Sequence, residues 1–143
     1  RKYSKRDALL LLEADRPEIT DTPQRLGGFS LWHNTPFARA FAARWLSACQ
    51  DPRLITDQPN AQGRHNYPEF KDHRHDQSVF SILAKKHGLP AFRDPSQWGN
   101  DRQADYSNSP YPQLLKLTRK QDIPFHTQVK RRIKKIIGWD RQG

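Results

Sequence analysis

Asp72-His73-Arg74-His75-Asp76-Gln77-Ser78-Val79-Phe80-Ser81-Ile82-Leu83-Ala84-Lys85-Lys86-His87-Gly88 is the stretch on which the fold turns. Five ionisable side chains, Asp72 to Asp76, run straight into an apolar pattern with helical spacing. That spacing predicts a helix from Asp76 or Gln77 to His87, with Val79, Ile82, Leu83 and Phe80 turned inward. Asp76 then stands at the helix start, where free backbone N–H groups and the helix dipole favour an anion. Lys85, Lys86 and His87 suit the opposite end of the dipole, and Gly88 supplies the stop. Two readings of the charged junction remain open. Asp76 is a cap beside solvated histidines, or the cluster faces a ligand.

Working outward, Thr35-Pro36 opens a second strong helix, with Thr35 as N-cap and Pro36 in the first helical position. Phe37, Phe41, Trp45 and Ala48 recur at three- and four-residue steps, flanked by Ala40 and Leu46, which reads as a core helix ended by Asp51-Pro52. Residues 7–14 (DALLLLEA) favour a helix with Asp7 as N-cap; a short strand ending at Glu13-Ala14-Asp15 is the competing reading. Residues 26–32 (LGGFSLW) suggest a buried strand whose glycines allow close backbone approach. Residues 16–25 and 91–108 read as loops. So does the polar stretch 57–72 (DQPNAQGRHNYPEFKD), and a loop of that length is usually functional or disordered.

The composition bounds the answer. The chain has 143 residues, 34% of them hydrophobic, and its 15 Phe, Trp and Tyr residues argue for a folded core despite a mean hydropathy of −1.00. One domain is the natural expectation. No apolar run approaches the roughly 20 residues of a membrane-spanning helix. Cys49 is the single cysteine, which excludes an intrachain disulfide and a cysteine-rich zinc module. The sequence begins at Arg1 and contains no Met, so a segment of a longer protein is expected.

No phosphate-binding glycine loop and no Ser/His/Asp triad can be assigned. His73 and His75 have a spacing compatible with a metal, yet no third ligand accompanies them. Resemblance carries the reading further. Gly27-Gly28-Phe29-Ser30-Leu31-Trp32-His33-Asn34-Thr35, Arg44-Trp45-Leu46 and, most specifically, His73-Arg74-His75-Asp76-Gln77-Ser78 resemble the C-terminal half of bacterial nucleotide-diphospho-sugar glycosyltransferases of the GT-A type, a polysaccharide-biosynthesis family. Lys5-Arg6-Asp7, Thr22-Pro23-Gln24, Ile55-Thr56-Asp57 and Phe92-Arg93-Asp94-Pro95-Ser96 are similar to it as well.

The resemblance implies an α/β fold for residues 1–118: a GT-A-like (Rossmann-related) C-terminal portion, helix-rich, with few strands and long loops. It implies transfer of a sugar from a nucleotide-diphosphate donor to a glycan or lipid-linked acceptor, and a cytoplasmic location. Asp76 and Gln77 would lie at the sugar as catalytic residues. A carboxylate there suits the positive charge that builds at an anomeric carbon. Arg74 or His75 would meet the diphosphate, for which arginine geometry is well matched. His73, Gln24 and Arg25 would add substrate contacts. Such enzymes bind Mn or Mg through an Asp-x-Asp motif, and this sequence has none. Glu13-Ala14-Asp15 is its nearest echo. The nucleotide-binding half is therefore expected upstream of Arg1, and no metal ligand is assigned in this chain.

The charge completes the picture. Of the net +10, residues 119–143 hold eight Lys/Arg against two Asp, a net of +6, leaving only +4 for the first 118 residues. In that tail Phe125, Val129, Ile133, Ile136 and Ile137 recur at helical spacing. Lys130, Arg131, Arg132, Lys134 and Lys135 fill much of the remaining surface, with Trp139 adjacent. This pattern reads as a basic amphipathic helix for an anionic membrane surface, peripheral on its inner face. A face packed on the body is the plainer alternative. A non-enzymatic module binding nucleic acid or anionic membrane through this helix is the alternative function, and no nucleic-acid-binding motif accompanies it. Deleting residues 130–143 is expected to abolish binding to anionic vesicles in a sedimentation assay; undiminished binding would remove the membrane role.

Overall fold

The computed structural model describes residues 1–96 and 108–115. The predicted tail helix and most of the predicted 91–108 loop lie outside them. The chain divides into two compact units, Arg1–Asp94 and Pro95–Gly143. Among the described residues there are five helices and no strand: α1 (Arg6–Leu11), α2 (Pro17–Thr20), α3 (Pro36–Cys49), α4 (Pro52–Ile55) and α5 (His75–Lys86). The helix-rich, loop-rich character expected of the chain is present; no Rossmann-type or GT-A sheet occurs among these residues. In the second unit, the Leu114 and Leu115 N–H groups donate to the Pro95 carbonyl, and Gln113 donates to that of Ser96.

All five of these helices lie in the first unit. Its helix ends follow local chemistry where the sequence offers it. Thr35 Oγ1 accepts from the Ala38 N–H at 3.1 Å and Pro36 takes the first position of α3, as expected. Asp51 Oδ1 caps α4 through the Arg53 N–H in the same way, at 2.9 Å. Gly88, at φ +62°, ends α5 with paired bonds from Leu89 N–H to Ala84 O and from Gly88 N–H to Lys85 O. Helix α1 ends by the same motif with Glu13 at φ +51° in the glycine position. The helical reading of residues 7–14 therefore holds only to Leu11, and the competing strand is absent. Asp7 is not its N-cap. Lys5 holds that place without a side-chain bond, while remote side chains take the first amides: His73 Nδ1 that of Lys5 (3.2 Å) and Asn66 Oδ1 that of Arg6 (2.8 Å).

Helix α5 is the centre of the unit and packs against the other four helices. Val79, Ile82 and Leu83 are buried as expected, against Leu9, Leu12, Ile19 and Leu54. Phe80 packs on Trp45 and Phe41 at ring distances of 5.1 and 5.9 Å. The helix begins one or two residues earlier than predicted, at His75, and ends one residue sooner, at Lys86. Helix α3 departs further from expectation. Of its residues only Phe41 is fully buried; Phe37 is 50% and Leu46 63% exposed, so α3 covers the core with one edge instead of a full stripe.

Residues 26–32 form neither a strand nor a buried segment: Leu31 is 90% exposed, and the backbone has no strand to pair with among the described residues. The expected close approach is nonetheless real at Gly27, where a Cβ would lie 2.9 Å from Gln77 Cγ. The preceding loop is tied to α5 by polar side chains. Gln77 Nε2 donates to Arg25 O (2.9 Å), the Arg25 N–H donates to Ser81 Oγ (3.0 Å), and Lys85 Nζ donates to Ile19 O and Thr22 O. Burial, helped by the Arg25 charge, pulls the Lys85 amine down to about 8.

Ser78, fully buried, joins three segments. It accepts from the Arg74 N–H at 3.0 Å and from Gln24 Nε2 at 3.3 Å, and its hydroxyl donates to Tyr3 O. Ser78→Ala removes three hydrogen bonds from a buried position and leaves the Arg74 N–H and Tyr3 O only their mutual bond, which costs about 1–3 kcal/mol. A lowered thermal midpoint is the expected result, and an unchanged one would contradict this role.

Candidate functional site

The site begins with a buried charge. Asp7 is 1% exposed, and its carboxylate accepts from the backbone N–H groups of Ala61 (2.6 Å) and Gln62 (3.2 Å). These bonds clamp one arm of the long polar loop onto α1, and Gly63 turns it at φ +69°. Asn66 Oδ1, already accepting from Arg6, also accepts from Asn60 Nδ2 at 2.9 Å; the same nitrogen donates to Arg64 O at 3.0 Å. Lys5 Nζ donates to Gln58 O at 3.2 Å. The loop is thus a wall held from beneath at several points.

The facing wall is the segment leading into α5. Lys71 and Arg74 donate main-chain bonds to Lys2 O and Tyr3 O. His73, 5% exposed, accepts from the Lys5 N–H, and its Nε2 lies 2.7 Å from Leu54 O. Those partners fix the tautomer. Nδ1 must be bare to accept, so Nε2 carries the proton and donates to the carbonyl, and the ring is neutral. Burial lowers the His73 pKa below its ordinary 6.5, against the opposing pull of the Leu54 carbonyl; the charges of His75 and Lys5 lower it further. His75 follows at φ +45°, its Nε2 3.2 Å from Asp57 Oδ2 and its ring 5.6 Å edge-on from that of His73. Between the walls lies an open cleft of about 960 Å³, lined among others by Asp57, Asn60, Arg64, Asn66 and Asp72.

Of the residues singled out in the sequence, the structure brings His73 and His75 into this cleft. Arg74 lies beside it with its guanidinium 4.0 Å above the Tyr3 ring and 3.6 Å from Asp72. Asp76 is exposed in the first turn of α5 and does not line the cleft; its carbonyl accepts from Trp45 Nε1 at 3.1 Å. Gln77 is half-buried, its amide nitrogen committed to Arg25 O. Gln24 lines a separate hollow of about 460 Å³ with Lys2, Tyr3 and Glu69. Arg25 donates to Leu89 O at 3.0 Å, and its buried Nε has no hydrogen-bond partner among the described residues. The six proposed membrane-contact residues, Lys130, Arg131, Arg132, Lys134, Lys135 and Trp139, lie outside the described residues.

The groups that sequence reasoning missed are Asp57, Asn60, Asn66 and the supporting Asp7. The signals for the first three were the length of their loop and, for Asp57, its place in Ile55-Thr56-Asp57, one of the stretches that carry the resemblance. Asp15, from the Glu13-Ala14-Asp15 echo, is engaged structurally: it pairs with Arg6 at 3.1 Å and accepts from the Tyr67 hydroxyl at 2.7 Å. Burial, and secondarily the Asp76 charge, push the Cys49 thiol up, which works against a thiolate nucleophile there. Among the described residues no group of three or more His, Cys, Asp or Glu could hold a metal ion, and no helix is long and apolar enough to cross a membrane.

Comparison of the chain with protein-family models, with curated proteins and with solved structures finds no match.

The neutrality of His73 sets a pH dependence. The unfolded chain takes up a proton near the ordinary value of 6.5, whereas the folded chain resists it. The contribution is therefore complete above pH 6.5 and is lost as the pH falls toward the lower folded value. Thermal midpoints are expected to drop between about pH 7.5 and about pH 5.5, with a shallower slope in His73→Gln. Identical slopes in the two proteins would contradict the assignment.

Proposed function

We propose that this chain is the C-terminal part of a GT-A-type glycosyltransferase that moves a sugar from a nucleotide-diphosphate donor to a glycan or lipid-linked acceptor. The observation that carries the reading is the division of labour within His73-Arg74-His75-Asp76-Gln77-Ser78. His73, Gln77 and Ser78 point inward and bond to Lys5, Leu54, Arg25 and Tyr3. Their neighbours His75 and Asp76 are exposed on a turn that those bonds hold still. Anchored residues alternating with presented ones are what a preorganised binding edge requires.

In this reading Asp76 offers its carboxylate to the sugar, where positive charge develops as the bond to the diphosphate breaks. Gln77 acts chiefly through position: its contact with Gly27 and its bond to Arg25 O support the turn. Arg74, stacked on Tyr3 two residues before Asp76, offers its guanidinium to the diphosphate. The regular elements among the described residues are all helices, and these residues offer no cluster for a divalent cation. In this reading a nucleotide-binding sheet and its metal site lie outside the described residues, and no step is derived through the metal.

The test is turnover of nucleotide-sugars by that protein before and after Asp76→Asn. Measurable transfer is expected, with a loss of about 100-fold or more in the variant. Its thermal midpoint should fall only slightly, because Asp76 is exposed and the variant loses no more than a favourable charge in the first turn of α5. Undiminished transfer by the variant would remove Asp76 from the mechanism, and absence of turnover in both proteins would remove the transferase reading.

A further inference from the structure

The cleft holds a His–Asp pair that the reading above leaves unused. His75 Nε2 lies 3.2 Å from Asp57 Oδ2. An ionised carboxylate only accepts, so Nε2 carries the proton, and in the neutral ring the lone pair falls on Nδ1. The pair has the form of an oriented base: a carboxylate fixes the ring and would stabilise the imidazolium formed when Nδ1 takes a proton.

Three further observations support that use. The backbone of His75 sits at φ +45°, uncommon for a residue with a Cβ, and the adjoining bonds of Arg74 N–H to Ser78 Oγ and Tyr3 O hold it there. The nearest ring, His73, is neutral and bonded at both nitrogens, so a proton arriving on His75 meets no fixed positive charge at that contact. The cleft is also equipped for hydroxyl groups. Asn66 must present its oxygen to the Arg6 N–H, and Asn60 must then present its nitrogen to Asn66 Oδ1 and Arg64 O. The network itself thus decides both amide orientations. It leaves Asn60 Oδ1 as an acceptor and Asn66 Nδ2 as a donor without a hydrogen bond among the described residues, and both residues line the cleft. A sugar hydroxyl gives one hydrogen bond and accepts others, which is the complement of that pair. At about 960 Å³ the cleft is large enough for more than one sugar ring.

We propose that His75, oriented by Asp57, is the base that removes the proton from a carbohydrate hydroxyl bound in this cleft. This inference rests on the transferase reading and adds to it the accepting group, the base and the stereochemistry. The acceptor O–H bond breaks and its proton passes to His75 Nδ1. The oxygen's electron pair forms the new bond to the anomeric carbon. The bond from that carbon to the diphosphate breaks, and its electrons leave with the nucleoside diphosphate. Attack opposite the leaving group inverts the anomeric configuration.

The experiment uses the full-length protein that carries this chain. UDP-glucose, UDP-galactose and GDP-mannose serve as donor probes, with galactose and N-acetylglucosamine as acceptor probes. His75→Gly and His75→Asn both tolerate the positive φ, so the fold is expected to survive. Each should lower turnover by about 100-fold or more, and free imidazole should restore at least about tenfold to His75→Gly. Asp57→Asn should cost about tenfold, and the product should carry inverted configuration. Turnover by His75→Gly within about threefold of the unmodified protein, no response to imidazole, or a retained configuration overturns the base assignment alone. Absence of turnover in the unmodified protein overturns the transferase reading and this inference with it.

Discussion

The carboxylate of Asp7 is the constraint from which the cleft follows. It is 1% exposed, and a charge taken out of water must be hydrogen-bonded or it costs several kcal/mol. The two bonds it receives come from Ala61 and Gln62, more than fifty residues along the chain. The long polar loop cannot lift away without stranding that charge. Helix α1 is in turn capped by residues of the cleft walls, Asn66 and His73, instead of by its own neighbours. A six-residue helix has little stability of its own, so helix and walls hold each other.

The second organising feature is the mixed character of α5. One side is ordinary core, with Val79, Ile82 and Leu83 almost fully buried. Ser78 and Ser81 are as deeply buried, yet they turn their hydroxyls to the backbone of Tyr3, Arg74 and Arg25. Buried hydroxyls are tolerable only with partners, and here the partners are loops. The helix therefore fixes irregular chain as firmly as it fixes other helices. That is how a unit with long loops can present His75 and Asp76 in defined positions.

Much of this was legible in the sequence. Thr35-Pro36 and Gly88 announced helix ends by short-range chemistry, and the apolar spacing after Gln77 identified the inward face of α5. What failed were inferences that needed a particular distant partner, the close approach at Gly27 excepted. Asp7 looks like a cap beside an apolar run, because nothing local reveals that Asn66 and His73 will take the helix amides. Residues 26–32 look like a strand, because alternation does not say whether a second strand is present to pair with. Phe37 and Leu46 look like core, because periodicity gives a face but not what covers it. The site was legible in the same uneven way. His73 and His75 stood out as a pair, but their opposite fates, one sealed between Lys5 and Leu54 and one facing Asp57, depend on contacts between segments remote in sequence.

The cleft depends on the loop being a preformed wall, and amide hydrogen exchange in the folded chain reports on that wall directly. The Ala61 and Gln62 N–H groups, bonded to buried Asp7, are predicted to exchange at least about 100-fold more slowly than an exposed peptide, with the protection lost in Asp7→Asn. Exchange of both amides at the rate of an unstructured peptide in the unmodified chain would contradict it.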